Sequence, residues 1–257
     1  MSQPFLNLDR VTKRFGGLKA VGGDDGLSLS VTEGHLLGLI GPNGAGKSTT
    51  FNLISGVLKP DSGTIRLAGA PLPATKPDRI AAMGIARAFQ QPRAFPSLSV
   101  RENVMIAPDN PGEHIWAALT GRWRETDRGL ADEAAALLSV VGLADRVDAP
   151  VSTLSGGELR MLEVARQLMR HPRLLLLDEP TAGVDPKLQK RLGALLGELK
   201  QGGTTIIIVE HNLHFLLGIA DHVAVLVRGE LLAEGPPDAI RRDERVIAAY
   251  LGANHAA

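Results

Sequence analysis

Residues 41–49 read GPNGAGKST, and two adjacent carboxylates, Asp178 and Glu179, close a run of four leucines farther on. The first stretch satisfies G-x-x-x-x-G-K-[ST] at Gly41, Gly46, Lys47 and Ser48, with Pro42, Asn43, Gly44 and Ala45 between them and Thr49 after. Glycines let such a loop fold tightly, so that successive N–H groups point inward at the β- and γ-phosphates of a nucleotide. The following helix directs its positive end at the same anion. Lys47 adds a point charge, and the Ser48 hydroxyl can ligate Mg²⁺. Two acids that end a strand are usually solvated or capping residues. At the carboxyl edge of a parallel sheet, downstream of a phosphate loop, they face the nucleotide instead. Asp178 then holds Mg²⁺, and Glu179 polarises the attacking water as general base.

A second glycine-rich helix start lies at Ser155-Gly156-Gly157. Small residues and N–H groups there make an anion site of the same kind. Ser155 with Glu158 also fits a plain capping box, and local pattern alone favours that cap. Phe15, in KRFGG, is either a flat platform for a base or a core filler. Asp185, His211 and Gln90, in AGVD, VEHN and RAFQQP, have no chemistry of their own that spacing reveals.

Elements must position these groups. HLLGLI (His35 to Ile40) runs apolar into the loop and reads as a buried strand. Lys47 to Leu58 reads as a helix, with Phe51, Ile54 and Val57 on one face. Thr64 to Ala68 reads as a strand. Leu174 to Leu177, between Pro172 and Pro180, is too short for a helix and reads as a buried strand. Leu188, Leu192, Leu195, Leu196 and Leu199 mark an amphipathic helix; Thr204 to Val209 and Val223 to Val227 read as strands. Residues 91 to about 165 read as mostly helical, interrupted by APDNPG (Ala107 to Gly112) and followed by Trp116 and Trp123. Alternating strands and helices imply a parallel sheet covered on both faces.

Composition agrees. Aromatics are 4% of 257 residues, and the aliphatic surplus suits strands buried on both faces. Lys+Arg and Asp+Glu are equal at 28 each, so no net field draws the chain to nucleic acid. With no cysteine, disulfides and thiolate metal sites are excluded. The amino terminus lacks the apolar core of a secretory signal, and no apolar stretch is long enough to span a bilayer. Work at a membrane therefore requires a membrane part borrowed from another chain.

The phosphate loop followed by LSGGELRMLEVARQLMRHPRLLLLDEP (Leu154 to Pro180) resembles the ATP-binding subunit of an ABC transporter. The resemblance implies an α/β fold: a P-loop NTPase (RecA-like) core with an N-terminal antiparallel β subdomain and an inserted α-helical subdomain. One domain would span 1–257, with 1–90 and 166–257 as the core and 91–165 as the helical part that bears the signature. It implies ATP and Mg²⁺, with Glu179, His211 and Gln90 catalytic, and Gln90 or its neighbour Gln91 reaching the metal alongside Ser48 and Asp178. Phe15 would stack on adenine. Ser155, Gly156 and Gly157 would contact the γ-phosphate held by a second cassette, this chain or a paralogue, paired head to tail, and Asp185 would link the two sites. The family commonly has Gln where this chain has Glu158.

FGGLKAV, FNLISGVLKPDSG, IARAFQ, LSVRENV, AGVDP and VEHN look like the branched-chain amino acid uptake ATPases, and relatives that move urea, amides or lipopolysaccharide share them. The implied partners are permease subunits and, indirectly, an extracytoplasmic binding protein, with the chain peripheral on the cytoplasmic membrane face. The stretch from Arg93 to Arg101 with Trp116 and Trp123 is expected to dock the permease, or else to pack within the helical part. A soluble assembly ATPase is the other class. The tail from Arg241 to Ala257 receives no role.

Overall fold

The computed structural model describes residues 4–88, 94–108 and 123–253, without the side chains of 123–126 and 251–253. Gln90, Gln91, Arg93, Trp116 and most of APDNPG lie outside the described residues, as does the Trp123 side chain. Two compact units emerge: residues 1–87, 173–179 and 197–257, and residues 88–172 and 180–196.

The first unit holds two sheets. β1 (Leu6–Phe15) pairs antiparallel with β2 (Leu18–Val21), β3 (Leu27–Val31) and β5 (Ser62–Leu67), and β6 (Ala70–Pro71) extends β5. In β3, Leu27, Leu29 and Val31 are buried while the serines between them are exposed, the period of a half-buried strand. The second sheet runs β11-β10-β4-β9-β8-β7. Its strands β4 (Leu36–Ile40), β8 (Leu174–Asp178) and β9 (Thr205–Val209) are buried at every position, as the continuous apolar runs require. β10 (His222–Val227), β4, β9 and β8 are mutually parallel, with Leu36 and Leu175 both in register with Ile206. β7 (Ile85–Ala88) closes one edge. β11 (Glu230–Gly235) turns back antiparallel at the other, a strand its mixed polarity hides.

Several boundaries differ from expectation: β4 starts at Leu36 and not His35, β8 runs on to Asp178, and β9 starts at Thr205 and not Thr204. The helix after the phosphate loop spans Lys47–Ile54, four residues short of Leu58. The Ser55 hydroxyl donates to the Phe51 carbonyl at 2.8 Å, and Gly56 (φ +69°) turns the chain away. β5 is Ser62–Leu67, ending before Ala68 in a turn (φ +47°). The strand expected from Val223 starts at His222.

The second unit is helical. Its helices are Val100–Met105, Trp123–Val140 and Gly156–Leu168, joined by the first turns of Pro186–Gln201. Val104, Leu138, Leu143, Met161 and Leu192 are fully buried in it. Buried Asn103 has its amide used: Nδ2 donates to the Ser99 carbonyl at 2.9 Å, and Oδ1 accepts from the Phe95 N–H at 2.7 Å.

Candidate active site

β4 ends at Ile40 and the chain passes at once through Gly41 to Gly46 into helix Lys47–Ile54. Gly46 is the N-cap at φ +97°, and a Cβ there would stand 2.4 Å from the Ala20 carbonyl oxygen, so only glycine fits. No side chain caps this helix, and among the described residues the N–H groups of Lys47, Ser48 and Thr49 make no hydrogen bond. These are the orphan donors of a helix start, at its positive end. Lys47 is 7% exposed, and its Nζ donates to the carbonyls of Gly41 (2.6 Å) and Pro42 (3.0 Å). Burial holds its pKa below the usual lysine range, against the pull of Glu179 and Asp178.

The two carboxylates differ. Asp178 is buried, and burial raises its pKa, while Arg87, with Nη2 at 3.4 Å, and Lys47 oppose the rise. Glu179 leaves the strand in the left-handed region (φ +51°), with its N–H donating to the Val209 carbonyl at 2.8 Å. That reversal turns its side chain into a cleft of about 450 Å³, where its Oε1 lies 2.9 Å from His211 Nε2. The same cleft is lined by Gly44 to Thr49 and by the 48%-exposed ring of Phe15. Such exposure leaves Phe15 no place as core filler. One cleft therefore gathers a free helix start, a buried cation, a carboxylate–imidazole pair and an aromatic platform.

The residues fit Mg²⁺. No group of three or more His, Cys, Asp or Glu able to hold a metal occurs among the described residues. Mg²⁺ needs no such cage: it takes one or two protein oxygens and fills its shell with water and phosphate. A hydroxyl lining the cleft at Ser48 and a carboxylate at Asp178 whose burial disfavours a bare charge are that donor set.

Ser155 and Asp185 line a separate hollow of about 570 Å³ in the second unit. Here the capping box is formed: the Ser155 hydroxyl accepts from the Glu158 N–H (3.2 Å), and Glu158 Oε2 accepts from the Ser155 N–H (2.8 Å). Those bonds, the Ser155 N–H first, hold the Glu158 carboxyl below the usual range. Gly156 faces open space, and a Cβ on Gly157 would stand 3.3 Å from the Gly183 carbonyl. Asp185 Oδ1 accepts from the N–H groups of Lys187 (2.9 Å) and Leu188 (3.1 Å), capping its own helix.

Two residues, one beside Asp178 and one in the cleft, carry signals the motifs do not include. Arg87 ties Asp178 to Asn52 Oδ1 (2.6 Å) and Ser55 Oγ (3.0 Å); its signal was a cation inside the short apolar strand IARA. Arg228 lines the cleft from the turn between β10 and β11, where Arg-Gly is a turn signal in the sequence.

The family model described as ABC transporter matches residues 25–182, and one described as branched-chain amino acid ATP-binding cassette transporter matches 230–256. Over 256 residues the chain is 40% identical to the high-affinity branched-chain amino acid transport ATP-binding protein LivG of Salmonella typhimurium, covering 98% of this chain and 99% of that one. It is 39% identical, with the same coverage, to the corresponding protein BraF of Pseudomonas aeruginosa. The solved ADP conformation of MJ1267, an ATP-binding cassette of an ABC transporter, matches with a TM-score of 0.83 at 34% identity, covering 98% of this chain and 100% of that one.

Proposed function

This chain belongs to the ABC transporter family as an ATP-binding, ATP-hydrolysing cassette, and from that premise we propose that it powers import of branched-chain amino acids through separate permease subunits. One observation carries the chemistry: Glu179 paired with His211 at 2.9 Å in the cleft that the uncapped start of helix Lys47–Ile54 lines. The N–H groups of that start and Lys47 hold the β- and γ-phosphates, and Phe15 carries the adenine. When bound, Mg²⁺ neutralises charge on the phosphate oxygens, held by Ser48, Asp178 and, outside the described residues, Gln90. Glu179 takes the proton of the attacking water, and His211 fixes the carboxylate toward it.

Ser155, Gly156, Gly157 and Asp185 act toward the nucleotide of a second cassette, the same chain or a paralogue, in a head-to-tail pair. ATP then closes the pair, and its hydrolysis reopens it, because only the triphosphate bridges both halves. No helix among the described residues is long and apolar enough to cross a membrane. The chain works peripherally on the cytoplasmic face against permease subunits that supply the membrane part, a reading supported by the transport names of its relatives. Names of the relatives and the match over 230–256 support the choice of substrate.

Replacing the base tests the chemistry. Glu179→Gln should lower ATP turnover by roughly 10²-fold or more while ATP still binds, and unchanged turnover means that Glu179 is not the base. Detergent extraction from the native cell tests the rest. The expected co-purifying chains are a multi-span permease and a binding protein that takes leucine, isoleucine or valine. A binding protein for urea or amides, a lipopolysaccharide permease, or soluble partners alone would overturn the substrate assignment.

A further inference from the structure

One arginine joins the two elements that carry the metal-binding oxygens. Strand β7 places Arg87 beside β8, which ends at Asp178. The Arg87 side chain is 12% exposed and that of Asp178 6%, so bulk water screens the pair little. Arg87 Nη1 donates to Asn52 Oδ1 at 2.6 Å and to Ser55 Oγ at 3.0 Å, whereas Nη2 reaches Asp178 Oδ2 only at 3.4 Å. The Ser55 hydroxyl gives its proton to the Phe51 carbonyl at 2.8 Å, which leaves its oxygen to accept from Arg87. The guanidinium carbon lies 5.8 Å from the centre of the buried Phe51 ring. Ser48, Asn52 and Ser55 follow at i, i+4 and i+7, on one face of the helix that starts at the phosphate loop. Among the described residues the Asp178 carboxylate has no other hydrogen bond or ion pair.

We infer that Arg87 is a stand-in cation for the metal: it balances Asp178 before Mg²⁺ binds, and afterwards it tunes how tightly Mg²⁺ is held by competing for that carboxylate. This rests on the reading of the cleft as an Mg-nucleotide site. A charge-assisted N–H···O bond is ordinarily about 2.7–2.9 Å long. The contact with Asp178 is therefore the weak one, and the bonds to Asn52 and Ser55 are the strong ones. Held from the helix side, the guanidinium can lose the carboxylate without leaving its place. A buried carboxylate with no counter-charge is strongly destabilising, and Arg87 prevents that state in the metal-free chain. Once the metal is bound, two cations share one carboxylate and repel each other where screening is poor. The coupling is reciprocal: Arg87 weakens the hold on the metal, and the metal loosens the hold on Arg87. Arg87 is thus a positioning residue that acts on the metal through Asp178.

Manganese binding reads this directly, because Mn²⁺ can replace Mg²⁺ and its free form is counted by electron paramagnetic resonance. In the full protein saturated with ADP, Arg87→Met keeps an unbranched chain over Phe51 and removes the charge. It should bind Mn²⁺ roughly 10-fold more tightly than wild type does. Its melting temperature without metal should fall below that of wild type, and the gap should narrow with Mn-ADP. Asn52→Ala removes the shortest anchor, lets the guanidinium close on Asp178, and should weaken Mn²⁺ binding several-fold. This second variant decides the question if Arg87→Met does not fold. Mn²⁺ affinity unchanged or lowered in a folded Arg87→Met, or otherwise unchanged or raised in Asn52→Ala, overturns the stand-in and leaves the nucleotide site standing. If the wild-type protein binds no ADP by calorimetry, the site reading fails and the stand-in fails with it.

Discussion

Two helices of this protein start on glycine and hydroxyl residues, and they handle their N-termini in opposite ways. At Lys47 the cap is a glycine in the left-handed region with no side chain, and the first donors stay free. At Gly156 the cap is Ser155, whose hydroxyl takes the Glu158 N–H while Glu158 returns a carboxylate to the Ser155 N–H. The first start is therefore open to an anion within a single chain. The second has one carboxylate already at its positive end, where an incoming phosphate must contend with it. Similar residues leave one start open within the chain and the other closed by its own first turn, so a nucleotide brought by a second cassette would have to meet that cap. What separates them is whether a side chain of the first turn can fold back.

Glycine replacement should expose this difference most sharply. Gly46→Ala puts a Cβ into the Ala20 carbonyl at left-handed φ, and should cost roughly 3 kcal/mol and abolish ATP binding. Gly156→Ala meets open space and should change stability by less than about 0.5 kcal/mol. Equal losses in denaturant unfolding would break the comparison. The hydroxyls come next. Ser155→Ala should cost about 1 kcal/mol through the lost cap. Ser48→Ala should cost less than about 0.5 kcal/mol but impair Mg-dependent turnover. A stability loss at Ser48 matching that at Ser155 would mean that the first start is capped after all.

The smallest effect is in pH. Asp178 binds its proton more tightly in the folded chain, so its contribution falls as pH rises past the ordinary aspartate value. Glu158 binds its proton less tightly when folded, so its contribution is present above the ordinary glutamate value and lost as pH falls through its lowered one. Wild type measured against Asp178→Asn and against Glu158→Gln should show stability slopes of opposite sign below neutrality. Slopes of one sign would remove the distinction between a strained carboxylate and a satisfied one.

Legibility in the sequence followed how local each interaction is. Strands β4, β8 and β9 were readable because full burial on both faces leaves an unbroken apolar run. The phosphate loop was readable because its glycines answer backbone demands made within a few residues. β11 was missed, since an edge strand with one polar face carries no such run. The end of helix Lys47–Ile54 was misplaced because Val57 kept the apolar spacing beyond the point where Ser55 and Gly56 stop it.

By itself the amino-acid order determined which chemistry is present: a lysine among glycines, two acids at a strand end, and a histidine after the next strand. Whether those groups meet was decided by the tertiary structure. Glu179 reaches His211 across 32 positions only because β8 and β9 are parallel neighbours whose ends coincide at Asp178 and Val209. Arg87 finds Asp178 across 91 positions, with no spacing that could announce it. Sequence patterns record what a residue needs from its near neighbours along the chain, whereas contacts of this range exist only once the sheet has set its strand order.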